Sequence, residues 1–144
     1  MQGFTVILIF FPSGSVCVAP KALGMESGKI PDNAITASSS YSSSHKPAYG
    51  RLNRVLGSCA WTTTSGGKSN SWFQVDLGEF ATVTGIATQG SCKASAEWTT
   101  SYTVSYRTNG ENWTAYKESG ENTKVSQCVY CVCSFYRNIE LKAQ

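Results

Sequence analysis

Charged residues are scarce in this chain, at 15% of 144 residues, where a typical domain has roughly 25%. Lys and Arg number 12 against 9 Asp and Glu, which gives a net charge of +3, and no run of Lys or Arg is present. A surface that follows nucleic-acid phosphates is therefore not expected. Ser, Thr, Asn and Gly must build most of the polar surface, a composition typical of an extracellular β-protein.

Catalytic motifs are also lacking. His45 is the one histidine, and no Ser or Cys motif is placed to use it as a base. The carboxylates do not pair as a hydrolase dyad. The segment Gly66-Gly67-Lys68 is not a phosphate-binding loop, because it lacks the earlier Gly of the G-x-x-x-x-G-K motif and the helix that follows it. We therefore expect a binding protein that is not an enzyme and carries no cofactor.

Long hydrophobic runs are absent except at the N-terminus. Phe4 to Phe11 is apolar apart from Thr5, and it is too short to span a bilayer as a helix. Small residues follow before Val16, so residues 1–16 are interpreted as a secretory signal peptide with cleavage near Ser15 or Val16. A buried first strand is the alternative interpretation. Residues 17–144 then form one domain of a secreted protein.

Six cysteines fit an exported chain, in which disulfides are the default state. The cluster from Cys128 to Cys133 could also indicate zinc, but it lacks a second pair at finger spacing. No acidic cluster indicates calcium, so no metal is expected. The disulfide candidates are Cys17, Cys59, Cys92, Cys128, Cys131 and Cys133.

Residues 71–90 show the pattern around which the fold is organised. Phe73, Val75 and Leu77 alternate with polar residues, as in a half-buried strand. Gly78 permits a turn, and a second run rich in β-branched residues begins at Val83. The pattern predicts two strands of one sheet, with a short connection around residues 77–80. Loops before and after the stretch would then emerge from the same region.

A second alternation runs from Tyr102 to Tyr106, and Asn109-Gly110 follows as a strong hairpin signal. Trp113 and Ala115 would lie on the return strand. Helical periodicity over a usual helix length is not found. The predicted fold class is therefore all-β.

Several motifs in order resemble the discoidin domain, the coagulation factor V/VIII type C family. They are ALGMESGKIPDNAITASSSYSSSHKPAYGRLN, then W-x-Q-V-D-L-G and T-G-I-A-T-Q-G, then WTTSYTVSYRTNGENWTAY. The resemblance covers residues 22–117 and implies a β-sandwich or distorted jelly-roll barrel with binding loops at one end. The tail, residues 118–144, diverges, so the C-terminal strands are expected to be atypical or missing. Phe135 to Leu141 has enough strand character to replace one of them.

The resemblance also implies disulfides. A cysteine near the end of the family domain usually pairs with one at the position of Cys17, a role open to any of the three C-terminal cysteines. Cys59 and Cys92 lie at the bases of the second and third loops and are expected to pair. Separately, Asn112-Trp113-Thr114 is an N-glycosylation sequon that follows the predicted turn.

The three implied loops are residues 41–50, 60–71 and 91–97. Family members that insert into phosphatidylserine membranes carry large apolar side chains at their loop tips. The first and third loop tips of this chain lack a pair of Trp, Phe or Leu. Burying each such side chain in a membrane would contribute ~1.5–3 kcal/mol, and these tips cannot supply that energy. Lys46, Lys68 and Lys93 could still attract anionic lipid, at about 1 kcal/mol each.

Glycan binding suits these loops better, because a sugar site needs an aromatic face and polar donors. Arg51 could instead anchor a loop, and Trp98 could pack at a loop base. The hypothesis is a module that binds glycan or a cell-surface or matrix glycoprotein in adhesion, with anionic phospholipid as the alternative. The candidate ligand residues are Tyr41, His45, Lys46, Tyr49, Arg51, Trp61, Lys68, Lys93 and Trp98.

Overall fold

The structure is a computed structural model. It describes residues 3–4, 6–10, 21–64, 70–93, 97–99, 101–108, 110–117 and 135–143. These residues form nine strands and two short 3-10 turns, at Asp32–Ala34 and Pro47–Gly50. The strands are β1 (Gly3–Phe4), β2 (Val6–Phe10), β3 (Lys21–Ala22), β4 (Ile35–Ala37), β5 (Trp61–Thr62), β6 (Trp72–Thr88), β7 (Tyr102–Arg107), β8 (Thr114–Ala115) and β9 (Phe135–Ala143).

The fold is all-β, as predicted. A seven-stranded sheet has the order β3-β2-β6-β9-β7-β8, and β4 also pairs with β6. Strands β1 and β5 form a second, two-stranded sheet. Every one of these pairings is antiparallel.

Strand β6 begins and ends on the same side of the fold. At its start, the Ser71 and Thr63 hydroxyls are 2.9 Å apart. Just after its end, the Ser91 hydroxyl donates to the Ser58 carbonyl at 3.0 Å. Ser58 and Thr63 are five residues apart in the chain, so they can be at most about 18 Å from each other. Strand β6 has 17 residues, and a straight strand of that length would extend about 56 Å. Strand β6 is therefore strongly bent rather than straight.

An irregularity in β6 lies where the sequence predicts a connection. The pairing of β6 with β9 shifts register between Asp76 and Ala81. Gly78 has φ of 74°, a conformation that favours glycine, and its N–H donates to the Asp76 carboxylate at 2.8 Å. The two halves have different outer partners, because β4 pairs with the first half and β2 with the second. Both parts of β6 run antiparallel to the single strand β9, so the predicted connection is a bulge within one continuous strand and does not separate two strands.

The divergent tail provides a central strand. Strand β9 lies between β6 and β7 and pairs with both, from Trp72↔Lys142 on one side to Arg107↔Asn138 on the other. The predicted strand character of residues 135–141 is therefore confirmed, and its segment extends to Ala143. Residues 118–134 lie outside the described part of the chain.

The apolar N-terminal run joins the sheet. Residues Val6–Phe10 pair with the second half of β6, from Val6↔Thr88 to Phe10↔Val83. This is the arrangement that the first-strand alternative describes. The signal peptide stays a prediction, and its cleavage region lies outside the described residues.

The buried core follows the predicted alternation. Phe73 and Val75 of β6 and Tyr102 and Val104 of β7 are all buried. The Trp61 and Phe73 rings pack with their centroids 5.5 Å apart. The remaining members of the buried cluster are Met25, Ile30, Ile35 and Val83.

A hairpin follows β7 as predicted, with Ala115 on the return strand, but Trp113 precedes that strand. Gly110 adopts φ of 79°, and the Glu111 N–H reaches the Thr108 carbonyl at 3.4 Å. Strand β8 returns along β7, with Tyr106 opposite Thr114. Asn109 lies outside the described residues.

Candidate binding end

Four segments meet at one end of the fold, which we call the binding end: residues 41–50, 51–59, 60–64 with 70–71, and 89–93 with 97–98. The Ser58 N–H donates to the Ser44 carbonyl at 2.9 Å, joining the first two segments. Cys59 and Cys92 form a disulfide with their Cα atoms 5.5 Å apart, as expected from the resemblance. The binding end is therefore cross-linked by both hydrogen bonds and a covalent bond. Cys17, Cys128, Cys131 and Cys133 lie outside the described residues.

Arg51 is buried beneath the loops, at 1% exposure. Its guanidinium donates to the Met25 carbonyl at 2.8 Å and to the Ile30 carbonyl at 2.6 Å. It also bonds the Asp32 carboxylate at 2.6 and 3.0 Å. With these partners Arg51 anchors residues 25–32. The expectation that Arg51 contacts a ligand is therefore corrected, because its N–H groups already donate to acceptors within the protein.

Trp61 is likewise buried, at 1% exposure, and its indole N–H donates to the Ser39 carbonyl at 2.7 Å. It cannot offer a ring face to a ligand, so this expectation is also corrected. Tyr49 is half-buried against the neighbouring loop. A Cβ placed on Gly57 would come within 2.6 Å of the Tyr49 ring and of the Ser44 carbonyl. Tyr49 therefore packs two loops together.

Hydroxyl groups close the base of the second loop. Thr63 and Ser71 are buried, and their hydroxyls lie 2.9 Å apart. The Ser39 hydroxyl lies 2.9 Å from that of Thr63, which links the segment before the first loop to the second loop. Residues 65–69, including the candidate Lys68, lie outside the described residues.

The first loop presents an aromatic and polar surface. Tyr41 is 47% exposed, and the His45 ring meets it edge-on, with centroids 5.2 Å apart and planes at 85°. His45 Nδ1 lies 2.7 Å from the Ser42 hydroxyl and 3.2 Å from the Ser44 hydroxyl. Lys46 follows directly and is exposed. The structure thus brings together three of the predicted candidates, Tyr41, His45 and Lys46.

The third loop presents another exposed aromatic side chain. The Ser91 N–H donates to the Glu97 carbonyl at 2.8 Å and closes the loop. Trp98 follows and is 55% exposed, so it is not packed at the loop base. Lys93 is exposed on the same loop, and its N–H donates to the Ser91 hydroxyl at 3.2 Å.

Residues 51–59 form a further loop that the sequence reasoning missed. Its tip carries Val55 and Leu56, which are 80% and 56% exposed. Left-handed backbone at Asn53 (φ 54°) and Gly57 (φ 60°) brackets this pair. The Asn53 N–H donates to the Gln89 side chain at 3.1 Å, which fixes the loop beside the third loop. The sequence did carry a signal for this loop: an Asn and a Gly, four residues apart, lie on either side of two aliphatic residues.

Metal and membrane features can be stated for the described residues. Within them, no three His, Cys, Asp or Glu side chains gather in a metal-binding arrangement. Their helices are short 3-10 turns, and none has the length and apolar character to cross a membrane.

Comparisons with known proteins identify the family. The model of the F5/8 type C domain matches residues 34–130. Mouse (Mus musculus) retinoschisin is 38% identical over 115 residues, 76% of this chain and 50% of that protein. Rat (Rattus norvegicus) lactadherin is 40% identical over 112 residues, 73% of this chain and 26% of that protein. The chain belongs to the F5/8 type C, or discoidin, family, and is a discoidin-type binding module.

The chain spans about half the length of the retinoschisins and about a quarter of that of the lactadherins. Among solved structures, one titled "Glycoside hydrolase" aligns with a TM-score of 0.43 and 13% identity, over 76% of this chain and 27% of that one.

Proposed function

We propose that the chain is an extracellular module that binds glycan, free or on a cell-surface or matrix glycoprotein, through its binding end. The observation that carries the proposal is the Tyr41–His45 pair. Tyr41 exposes nearly half of its surface beside an imidazole held by two serine hydroxyls. A sugar ring has an apolar face that packs on an aromatic ring, and hydroxyl groups that pair with polar side chains.

Two further groups of the binding end support a sugar ligand. Trp98 offers a second exposed aromatic face. Lys46 and Lys93 are exposed near the first and third loops and can donate to hydroxyl or carboxylate oxygens. Arg51, Tyr49 and Trp61 have no place in this proposal as ligand contacts, because their side chains support the loops.

Anionic phospholipid, such as phosphatidylserine, is a second candidate ligand, favoured by Val55 and Leu56. The sequence argued against membrane insertion because the first and third loop tips lack bulky apolar residues. The loop at 51–59 places two aliphatic side chains in solvent between those tips. Burying each would contribute ~1.5–3 kcal/mol, and Lys46 and Lys93 would add about 1 kcal/mol each near an anionic surface.

The proposed role is binding without catalysis, in a secreted protein. Turnover of a glycoside by the purified chain would overturn the first part. N-terminal sequencing of chain recovered from culture medium tests the second: a mature start near residue 16 or 17 is expected, and a start at Met1 would contradict the signal peptide.

A glycan array run beside sedimentation with phosphatidylserine vesicles separates the two ligands. Saturable binding to defined glycans, with little vesicle binding at high salt, is expected. Screening weakens lysine contacts to a lipid surface but leaves apolar burial intact. Vesicle binding that survives high salt, without glycan binding, would reverse the ranking.

A further inference from the structure

Asn112 stands in a sequon that the binding function does not use. It follows the tight turn closed by Thr108 and Glu111, where the Glu111 N–H meets the Thr108 carbonyl at 3.4 Å. Asn112 and Thr114 are both exposed. The Trp113 side chain between them is held by Arg107, whose guanidinium carbon lies 4.4 Å from the ring centroid. Both recognition residues of the sequon are therefore accessible on a fixed surface segment.

The strand register places Asn112 away from the binding end. Trp72, which directly follows the second loop, lies in register with Lys142 and Thr103. Arg107 lies in register with Asn138, four residues further along β9. Four strand residues extend about 13 Å, and the turn carrying Asn112 lies beyond Arg107. A large group on Asn112 would leave the loops free.

The same turn leads into an exposed sheet edge. Strand β8 is the outermost strand of the seven-stranded sheet, and Thr114 and Ala115 are both exposed. Among the described strands, none pairs with its outer side. An unpaired edge is a template for pairing with another chain, and proteins usually protect it with short strands, charge, a bulge or a covering segment. The exposed side chains of β8 carry no charge.

We propose that Asn112 is N-glycosylated and that its glycan shields the β8 edge. An N-linked glycan is bulky and hydrophilic, and it would stand two residues before Thr114 at the start of that edge. The modification is independent of which ligand the loops bind, and it requires passage through the secretory pathway. It gives the module two functional ends, with ligand contacts at one and a protected edge at the other.

Peptide mapping tests occupancy. The full chain is expressed in mammalian cells, and tryptic peptides are analysed before and after peptide N-glycosidase, which converts the glycosylated Asn to Asp. The peptide of residues 108–117 is expected to carry hexose and hexosamine mass. Asn112→Gln and Thr114→Ala abolish that mass, whereas Thr114→Ser, which keeps the sequon, retains it. An unmodified wild-type peptide, from medium or from cells, overturns the proposal.

Sedimentation velocity over a range of concentrations tests the shielding role. The glycosylated chain is expected to stay monomeric while Asn112→Gln self-associates. The double variant Asn112→Gln/Ala115→Lys should return to monomer, because the new charge lies on the edge itself. An Asn112→Gln chain that stays monomeric throughout overturns the shielding role. Neither measurement depends on glycan or lipid binding, so its outcome is distinct from that of the proposed function.

Discussion

The binding end has a buried floor and a solvent-exposed rim, and aromatic residues occur in both. In the floor they support the fold, whereas in the rim they are accessible to a ligand. Trp61 and Arg51 in the floor are each 1% exposed and have their polar groups paired within the protein. Trp98 and Tyr41 in the rim are about half exposed. An aromatic ring or a cation in a loop therefore does not by itself indicate a ligand contact. Whether its polar atoms already have partners inside the protein decides its role.

The largest effect should come from the floor tryptophan. Trp61→Ala opens a cavity beside Phe73 and leaves the Ser39 carbonyl without its donor, at a cost of about 4–5 kcal/mol in unfolding free energy. Trp98→Ala should change stability by less than about 0.5 kcal/mol. Chemical denaturation of both variants measures the difference. Equal losses would remove the distinction between floor and rim.

Arg51 should follow closely. Arg51→Met leaves the buried Met25 and Ile30 carbonyls unpaired, and we expect a loss of about 3–4 kcal/mol. Asp32→Asn is the matched control on the other side of the same ion pair. The Asp32 side chain is 59% exposed and Asn keeps an acceptor oxygen for Arg51, so this change should cost less, about 1–2 kcal/mol. If Asp32→Asn costs as much as Arg51→Met, the ion pair rather than the carbonyl contacts holds the floor.

The disulfide joins the rim loop at 51–59 to the third loop. It closes a sequence separation of 33 residues, and replacing both cysteines by serine should cost about 3 kcal/mol. Ser91→Ala removes only the parallel hydrogen bond to Ser58 and should cost about 1 kcal/mol. Thermal unfolding under non-reducing conditions compares the two variants. Equal effects would show that the covalent link adds nothing to the hydrogen bonds.

The smallest effect concerns pH and lies outside both regions, in the sheet. Burial raises the pKa of Glu140 above its usual 4.5, although Lys142 and Arg107 oppose the shift. Since the folded state holds this proton more tightly, its contribution to stability is present below pH 4.5 and is lost as pH rises through the folded pKa. Glu140→Gln should flatten that slope. Glu79 is exposed, so Glu79→Gln is the control. An equally large change in the pH dependence of stability in that variant would contradict the assignment of the slope to Glu140.

Sequence reasoning recovered the fold because the alternation at Phe73–Leu77 and Tyr102–Tyr106 is short-range and strong. It also located the irregularity of β6 around Gly78 and the pairing of Cys59 with Cys92. It could not rank Arg51 and Trp61 against Tyr41 and Trp98, because burial of a loop residue depends on distant segments such as residues 25–32. The aliphatic tip at Val55–Leu56 was missed for the same reason: its exposure follows from contacts of its loop with Ser44 and Gln89.

We propose that the polar, aromatic part of the rim binds the ligand. Tyr41→Ala and the double variant Val55→Ser/Leu56→Ser are compared with the wild-type chain on the same glycan array. We expect Tyr41→Ala to weaken glycan binding about tenfold or more, through loss of an aromatic contact of about 1.4 kcal/mol, and the double variant to bind as the wild type does. Unchanged binding by Tyr41→Ala, with loss in the double variant, would contradict it.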